Sequence, residues 1–154
     1  MRAVRLAMMA FFAVLWLASG GAARAEGTAE ATIPQDARLT PAALAEILKG
    51  RPPTIFQVGS SVLFAEAHIP GAQYAGPTGT EDGLKNLADH VKALPHDQLV
   101  VIYCGCCPWI RCPNIAPAYT QLHAMGFTNV KALYLPNNFG DDWVSKGYPV
   151  ARGS

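Results

Sequence analysis

Residues 99–104 have the sequence Leu-Val-Val-Ile-Tyr-Cys, an apolar and mostly β-branched run that ends at a cysteine. A short apolar run of this kind is typical of a strand buried on both faces of a sheet. Similar runs occupy residues 55–58 and 130–135, and stretches with apolar residues at helical spacing lie between them. Because short buried strands alternate with helices, the sequence predicts an α/β fold with a largely parallel sheet.

Four helices are predicted around these strands. Thr40-Pro41 provides a helix N-cap followed by proline at the first helical position, and apolar residues then fall at i, i+3 and i+4. Gly50 ends this helix. The other three are predicted across residues 84–94, across residues 115–122 and in a short segment closed by Trp143.

All four cysteines of the chain lie in residues 104–112, whose sequence is Cys-Gly-Cys-Cys-Pro-Trp-Ile-Arg-Cys. Disulfides that stabilise a fold join distant segments, because closing a longer loop restricts the unfolded chain more. These cysteines are too close together to do that for one another, so a purely structural role is the poorer explanation. Cys104 directly follows the strongest strand, and sites in parallel α/β sheets form at the carboxyl ends of strands. The segment is therefore predicted to be the chemical centre of the protein.

Three kinds of chemistry fit this segment. In the first, Cys104 is a nucleophile whose thiolate is favoured by backbone N–H groups of the following loop, by the helix N-terminus near Asn114 and by Arg111. Such a thiolate accepts a sulfane sulfur, holds it as a persulfide and passes it on. In the second, the cysteines form a redox couple, since Cys104 makes a C-x-C pair with Cys106 and a C-x-x-C pair with Cys107.

In the third, the thiolates bind a soft metal ion such as Cu(I) or Zn(II). The ligands would be Cys104, Cys106, Cys107 and Cys112. Two features argue against a metal site. Cys106 and Cys107 are adjacent, so their side chains tend to point apart, and the two separated cysteine pairs of the usual zinc site are missing. No metal and no other cofactor is therefore expected, and without a C-x-x-C-H motif covalent haem attachment has no support.

Several motifs occur in the same order as in a known family. Residues 67–72, Ala-His-Ile-Pro-Gly-Ala, are similar to a G-H-I-P-G-A turn, and residues 147–150, Gly-Tyr-Pro-Val, are similar to a closing segment. With the strand at 99–104, these motifs resemble the rhodanese superfamily from about residue 38 to residue 150. The resemblance implies a doubly wound, three-layer α/β domain with a central, mostly parallel five-stranded sheet. It also implies that Cys104 bears the persulfide and that the loop after it forms the substrate cradle, from Gly105, Pro108, Trp109, Ile110, Arg111, Pro113 and Asn114.

The chain departs from the family at this site. Where the family usually has Asp-Val-Arg after its first core strand, this chain has Gln57-Val58-Gly59, so both charged partners are absent. The active loop is also longer than the common sulfurtransferase loop, and Asn114 falls near the position where an arginine often begins the helix. The spacing between the cysteines and Arg111 does not match the C-x5-R motif of the phosphatase relatives. For Trp109, a place over the pocket, a docking face and a place in the core are all open.

The first 25 residues are typical of a cleaved secretory signal. Arg2 and Arg5 form a basic start, residues 6–18 are uninterrupted apolar, and Ala23-Arg24-Ala25 has small residues at both positions that a signal peptidase recognises. The apolar run is shorter than the roughly 20 residues that span a membrane, so cleavage after Ala25 is predicted rather than a permanent membrane anchor. The predicted location is periplasmic or secreted.

The remaining chain is predicted to be a single domain. Residues 26–37 show no apolar period and are predicted to be a flexible leader, and residues 38–154 are predicted to be the rhodanese-like domain. Loss of the signal removes three of the 12 basic side chains and none of the 11 acidic ones, which leaves a net charge of −2. Without a basic run, nucleic-acid binding has little support.

Taken together, the sequence predicts an exported protein that transfers sulfane sulfur through a persulfide on Cys104. Cys106, Cys107 or Cys112 would resolve the persulfide as a disulfide. The expected partners are a small sulfur donor, either thiosulfate or a persulfide, and a thiol acceptor such as a periplasmic protein. Two alternatives stay open. One is a thiol–disulfide oxidoreductase or copper-handling protein that uses the same loop, and the other is a non-catalytic module that presents the loop to a partner.

Overall fold

The computed structural model describes residues 28–153 of the 154-residue chain. The predicted signal peptide and its cleavage site lie outside these residues. The described strands are β1 (Arg38–Leu39), β2 (Thr54–Gln57), β3 (Gln73–Tyr74), β4 (Val100–Tyr103) and β5 (Val130–Leu133). The described helices are α1 (Ala29–Thr32), α2 (Pro41–Leu48), α3 (Ser61–Glu66), α4 (Glu81–Val91), α5 (Ile115–Ala124) and α6 (Phe139–Asp142), with 3-10 turns at Gln35–Ala37, Trp109–Arg111 and Val144–Lys146.

The five strands form one parallel sheet in the order β1-β5-β4-β2-β3. β4 lies in the centre, where Val101 is opposite Ile55 of β2 on one side and Lys131 of β5 on the other. The predicted five-stranded parallel sheet is therefore confirmed. From β2 the chain continues outward to β3, whereas from β4 it continues in the opposite direction to β5. The carboxyl ends of β2 and β4 flank this reversal, which is where open α/β sheets form ligand crevices.

Helices cover both faces of the sheet, because side chains of a strand alternate between its two faces. Val100 and Ile102 of β4 lie in a core shared with α1, α4 and α5. Val101 and Tyr103 lie in the opposite core, which α2, α6 and Trp143 complete. Two separate cores on one sheet confirm the doubly wound, three-layer architecture.

The predicted capping signal at Thr40 is confirmed, whereas α4 begins three residues before its predicted start. Thr40 begins α2, and its side-chain oxygen accepts a hydrogen bond from the Ala43 N–H at 3.2 Å. Thr80 caps α4 in the same way through the Gly83 N–H at 3.1 Å. Two described helices, α1 and α3, were not predicted. Phe64 is the buried residue of α3, so no apolar stripe marks that helix in the sequence.

The predicted flexible leader is wrong for residues 28–37. These residues form α1 and a 3-10 turn, and they bury Ala29 and Ile33 against the core under α5. The Glu30 side chain accepts a hydrogen bond from the Trp109 indole N–H at 2.9 Å and pairs with Arg38 at 2.9 Å. A segment of small residues with one isoleucine has no periodicity of its own, so only its partners in the domain order it.

Because Ile33 is 1% exposed, its replacement by alanine should leave a cavity between the leader and the core. We expect Ile33→Ala to lower the free energy of unfolding by about 2–5 kcal/mol. The measurement is urea denaturation of the folded chain. Val62→Ala is the matched control, since Val62 is 64% exposed and its truncation should change stability by less than about 0.5 kcal/mol. A detached leader would make the two variants equally stable.

Candidate active site

Cys104 lies where the fold analysis places a site. It directly follows β4, and its side chain stands in the crevice between the ends of β2 and β4, with 4% of the residue exposed. One residue beyond the end of β2, the Val58 N–H still donates to the Tyr103 carbonyl at 2.9 Å. This hydrogen bond keeps the two chain segments together at the base of the crevice. Cys104 therefore lies where it was predicted, at the carboxyl end of the central strand.

The four cysteine sulfurs form one cluster. Cys106 Sγ lies 3.2 Å from Cys104 Sγ and 3.2 Å from Cys107 Sγ. All four Sγ atoms, including that of Cys112, lie within 4.8 Å of one another. All four are free thiols, of which Cys104 and Cys112 are buried, Cys107 is half-buried and Cys106 is exposed. The structure therefore brings together every cysteine that the sequence analysis selected.

The loop that carries the cluster is attached at two points to the segment after β5. The Phe139 N–H donates to the Gly105 carbonyl at 3.3 Å, and the Trp109 N–H donates to the Leu135 carbonyl at 3.2 Å. A side chain at Gly105 would place its Cβ 2.7 Å from the Cβ of Phe139, so only glycine permits this approach. The 3-10 turn that follows brings Cys112 back toward the cluster.

Asn114 connects the loop to the first turn of α5. Its side-chain oxygen accepts from the Gly79 N–H at 2.8 Å, which directs the amide Nδ2 toward the sulfurs. Nδ2 lies 3.4 Å from Cys104 Sγ and 4.0 Å from Cys106 Sγ. The Asn114 carbonyl also accepts from the Thr78 hydroxyl at 2.7 Å. Asn114 is thus a buried neutral donor to the cluster, in the place where the resemblance leads one to expect an arginine.

Gln57 and Gly59 form the wall of the crevice at the end of β2. The Gln57 side-chain oxygen accepts from the Gly59 N–H at 3.1 Å, and its amide donates to the Ser60 carbonyl at 3.3 Å. A Cβ at Gly59 would lie 2.8 Å from Cys104 Sγ, so the missing side chain is the space that the sulfur occupies. The sequence analysis noted these residues only as the loss of a charged pair. The contact of Gly59 with Cys104, and those of Thr78 and Gly79 with Asn114, join segments distant in sequence and left no local signal.

The remaining loop residues divide into buried and exposed ones. Trp109 is in the core, where it packs against Tyr134 and lies under the Arg38 guanidinium at 5.5 Å, so of its three open placements the core one is shown. It supports the loop from below instead of covering the pocket. Ile110, Arg111 and Pro113 are exposed and Pro108 is half-buried. The contact that Arg111 makes with the cluster is through its backbone carbonyl, which accepts from the Cys107 thiol at 3.8 Å.

Two cavities border the cluster. One of about 320 Å³ opens beside Cys106 and is lined by Gln57, Glu66, Tyr103 and Phe139 among others, with no lysine, arginine or histidine in its lining. A larger and shallower groove of about 880 Å³ runs on the other side of the loop past Ile110, Arg111, Cys112 and Pro113. The cavity beside Cys106 is the one that leads to the crevice at β2 and β4.

Hydrogen bonds among the thiols shift their pKa values in opposite directions. The pKa of Cys106 is lowered well below the usual range, because thiol hydrogen bonds, first from Cys104 and then from Cys112, stabilise its thiolate. The pKa of Cys104 is raised to about 12, chiefly because its thiol donates to Cys106. The pKa of Cys112 rises mainly through its hydrogen bond to Cys104, and that of Cys107 rises mainly through burial. The cluster therefore holds its first negative charge on the exposed sulfur.

Comparison with known proteins agrees with this architecture. The sequence profile described as "Rhodanese-like domain" matches residues 40–134. The chain therefore belongs to the rhodanese-like domain family. Among curated proteins, none matches it. In the residues that the structure describes, 28–153, no helix is both long enough and apolar enough to cross a membrane.

Solved structures with the same fold share little sequence with this chain. The Alr3790 protein from Anabaena sp. is 21% identical, with a TM-score of 0.57, over 75% of this chain and 92% of that chain. The BH2092 protein from Bacillus halodurans is 23% identical, with a TM-score of 0.57, over 75% of this chain and 76% of that chain. A thiosulfate sulfurtransferase from Pseudomonas aeruginosa is 20% identical, with a TM-score of 0.57, over 82% of this chain and 21% of that chain. At these identities the likeness shows the fold alone.

The lowered pKa of Cys106 predicts alkylation that persists at low pH. For an ordinary cysteine of pKa about 8.5, the fraction present as thiolate falls roughly 75-fold when the pH is lowered from 8 to 6. Its rate of reaction with iodoacetamide falls by the same factor. In the reduced, folded protein we expect Cys106 to be labelled first and at a nearly constant rate across this interval, as measured by peptide mapping. The urea-unfolded chain is the control, in which all four cysteines should slow together. The same uniform slowing in the folded protein would contradict the shift.

Proposed function

We propose that this protein transfers sulfane sulfur through a persulfide on Cys104, and that Cys106 resolves this persulfide. The observation that carries the proposal is the position of Cys104 Sγ at the carboxyl end of β4, 3.2 Å from Cys106 Sγ. A nucleophile and a second thiol are thus already within contact distance in the crevice. The family to which the chain belongs makes sulfur transfer the first chemistry to test at such a cysteine.

In the first half-reaction the Cys106 thiolate, 3.2 Å away, takes the proton of the Cys104 thiol, and Cys104 Sγ attacks the outer sulfur of the donor. The new bond joins Cys104 Sγ to that sulfur, the donor's S–S bond breaks, and its electron pair leaves with the donor as a thiolate or as sulfite. The Asn114 amide, 3.4 Å from Cys104 Sγ, donates to the negative charge on this sulfur. An acceptor thiolate then attacks the terminal sulfur and regenerates the Cys104 thiolate.

Resolution follows a different route when no acceptor is bound. The Cys106 thiolate attacks Cys104 Sγ, the bond to the terminal sulfur breaks, and that sulfur leaves as hydrosulfide. The sulfane sulfur is reduced to sulfide while the two cysteines are oxidised to a disulfide. An external thiol must then reduce this disulfide before the next turnover.

The charge of the neighbouring cavity favours persulfide donors over thiosulfate. Its lining residues include the exposed carboxylate of Glu66 and no cationic side chain. A thiosulfate dianion would approach this surface without a positive partner, and Coulomb repulsion from a carboxylate opposes it. A small alkyl persulfide carries less charge and fits a cavity lined by Leu63, Tyr103 and Phe139.

A second candidate function is thiol–disulfide exchange with a partner. The specific observation in its favour is that Cys106 Sγ lies 3.2 Å from both Cys104 Sγ and Cys107 Sγ. Since a disulfide bond is about 2.05 Å long, closing either pair requires a movement of about 1 Å. This candidate uses the same sulfurs but needs no sulfane donor, so the two functions are separable by omitting the donor.

The persulfide proposal predicts different defects for different cysteines. Cys104→Ser should abolish transfer from a persulfide donor to a thiol acceptor, because serine cannot hold a sulfane sulfur. Cys112→Ser should retain part of the activity. Cys106→Ser should accumulate a species heavier by one sulfur atom on Cys104 when no acceptor is added, as seen by intact mass and peptide mapping. Transfer at the wild-type rate by Cys104→Ser would overturn the assignment, and a native rate of disulfide exchange without donor in Cys106→Ser would overturn the second candidate, because both of its pairs use Cys106.

We also propose that the chain is exported to the periplasm or secreted, on the strength of its first 25 residues. In an oxidising compartment two cysteines of the cluster should rest as a disulfide. The intact mass of the protein isolated from its own source, with free thiols blocked at lysis, should correspond to a chain that begins at Glu26 and lacks two protons. A chain that begins at Met1 would contradict export, and four blocked thiols would contradict a resting disulfide.

A further inference from the structure

We infer that the four cysteines also form a binding site for one thiophilic d10 metal ion, Cu(I) or Zn(II), that is separate in purpose from sulfur transfer. The persulfide chemistry requires Cys104 and one resolving thiol. It gives no task to Cys107 and Cys112, yet the fold places both sulfurs within 4.8 Å of the other two. Four convergent thiols on one rigid loop are a complete ligand set.

The distances are close to those of a coordinated metal. A tetrahedral site with metal–sulfur bonds near 2.3 Å sets its sulfurs about 3.8 Å apart. Here the two closest sulfur pairs are 3.2 Å apart and no pair exceeds 4.8 Å. Movements of about 1 Å, which side-chain rotation alone provides, convert the cluster into such a site.

The objection raised by the sequence does not hold in the fold. Adjacent cysteines in an extended chain point apart, but the backbone turns between Cys106 and Cys107 and leaves their sulfurs in contact. The 3-10 turn Trp109–Arg111 then returns Cys112 to the cluster. The buried Trp109 holds this turn through its indole contact with Glu30 and its backbone contact with Leu135. The ligands are thus brought together by packing outside the loop.

The surroundings of the sulfurs suit a soft ion. Thiolates select Cu(I) and Zn(II), and the four side chains that converge here are all cysteines. Asn114 supplies an outer hydrogen bond to Cys104 Sγ, the kind of contact that orients a ligand and offsets its charge. Exposed Cys106 gives the ion a path from solvent, whereas buried Cys104 and Cys112 shield it once bound.

Metal binding and persulfide formation should exclude each other, because Cys104 Sγ takes part in both. An occupied site holds that sulfur in a metal–thiolate bond and keeps it from a sulfane donor.

The site is tested on the fully reduced chain without any sulfur donor, so the outcome does not depend on sulfur transfer. Zn(II) and Cu(I) are titrated separately in competition with a chromophoric chelator for each ion, and Co(II) serves as a spectroscopic probe of tetrahedral thiolate ligation. We expect one ion per chain with sulfur-to-metal charge-transfer absorption. The ion that binds with the higher affinity in these two titrations is the one the site prefers.

Two variants make the test specific. Cys107→Ser and Cys112→Ser should each weaken the preferred ion's binding by at least about 100-fold, since each removes one of four ligands. Ile110→Ser is the matched control, because Ile110 lies in the same turn, is 64% exposed and offers no sulfur, and its affinity should be unchanged. Circular dichroism checks that each variant is folded. Because Cys112 is buried, its variant can fail to fold, and the test then rests on Cys107→Ser, since Cys107 is only half-buried. Absence of stoichiometric binding by both ions, or equal affinities in Cys107→Ser and Ile110→Ser, would overturn the inference.

Discussion

The hydrogen bonding of β4 on both of its edges is the constraint on which the rest of this structure depends. β2 and β5 pair with it from opposite sides, and the two cores bury its four residues on both faces, so its carboxyl end is held between its neighbours. Because the chain winds away from β2 and from β4 in opposite directions, a crevice opens at the carboxyl ends of these two strands. The sulfur of Cys104 occupies that opening, and the two flanking strands determine where it lies.

The site replaces charge with neutral hydrogen bonding. The Asp and Arg that the family usually carries after its first core strand are represented here by Gln57 and Gly59. The side-chain oxygen and nitrogen of Gln57 both hydrogen-bond to nearby backbone groups. Gly59 has no side chain, and Cys104 Sγ occupies the space that a side chain would fill. Asn114 donates to the same sulfur from the opposite wall. With no cation among these residues, hydrogen bonds from the neighbouring thiols stabilise the thiolate of Cys106.

The extended loop keeps its shape because segments from outside it hold it. Trp109 connects the loop to Glu30 near the start of the described chain and to Leu135 after β5, while Gly105 approaches Phe139 closely enough to exclude any side chain. These contacts couple the described part of the leader to the site. They also leave Ile110 and Arg111 on the outside of the turn, free of the core. The loop is therefore a rigid platform whose chemistry faces the crevice at β2 and β4.

The sequence by itself determined the parallel α/β fold, the central strand, four of the helix positions with the Thr40 cap of the first, and the place of Cys104 at the end of that strand. These features follow from periodicity, capping residues and the position of Cys104 after a buried run, all of which are local. The tertiary structure decided that residues 28–37 are ordered, that Trp109 is buried, and that adjacent Cys106 and Cys107 point to the same side. It also decided that Gln57, Gly59, Thr78 and Gly79 belong to the site. Each of these depends on contacts between segments that are distant along the chain, and such contacts exist only once the sheet and its two cores have formed.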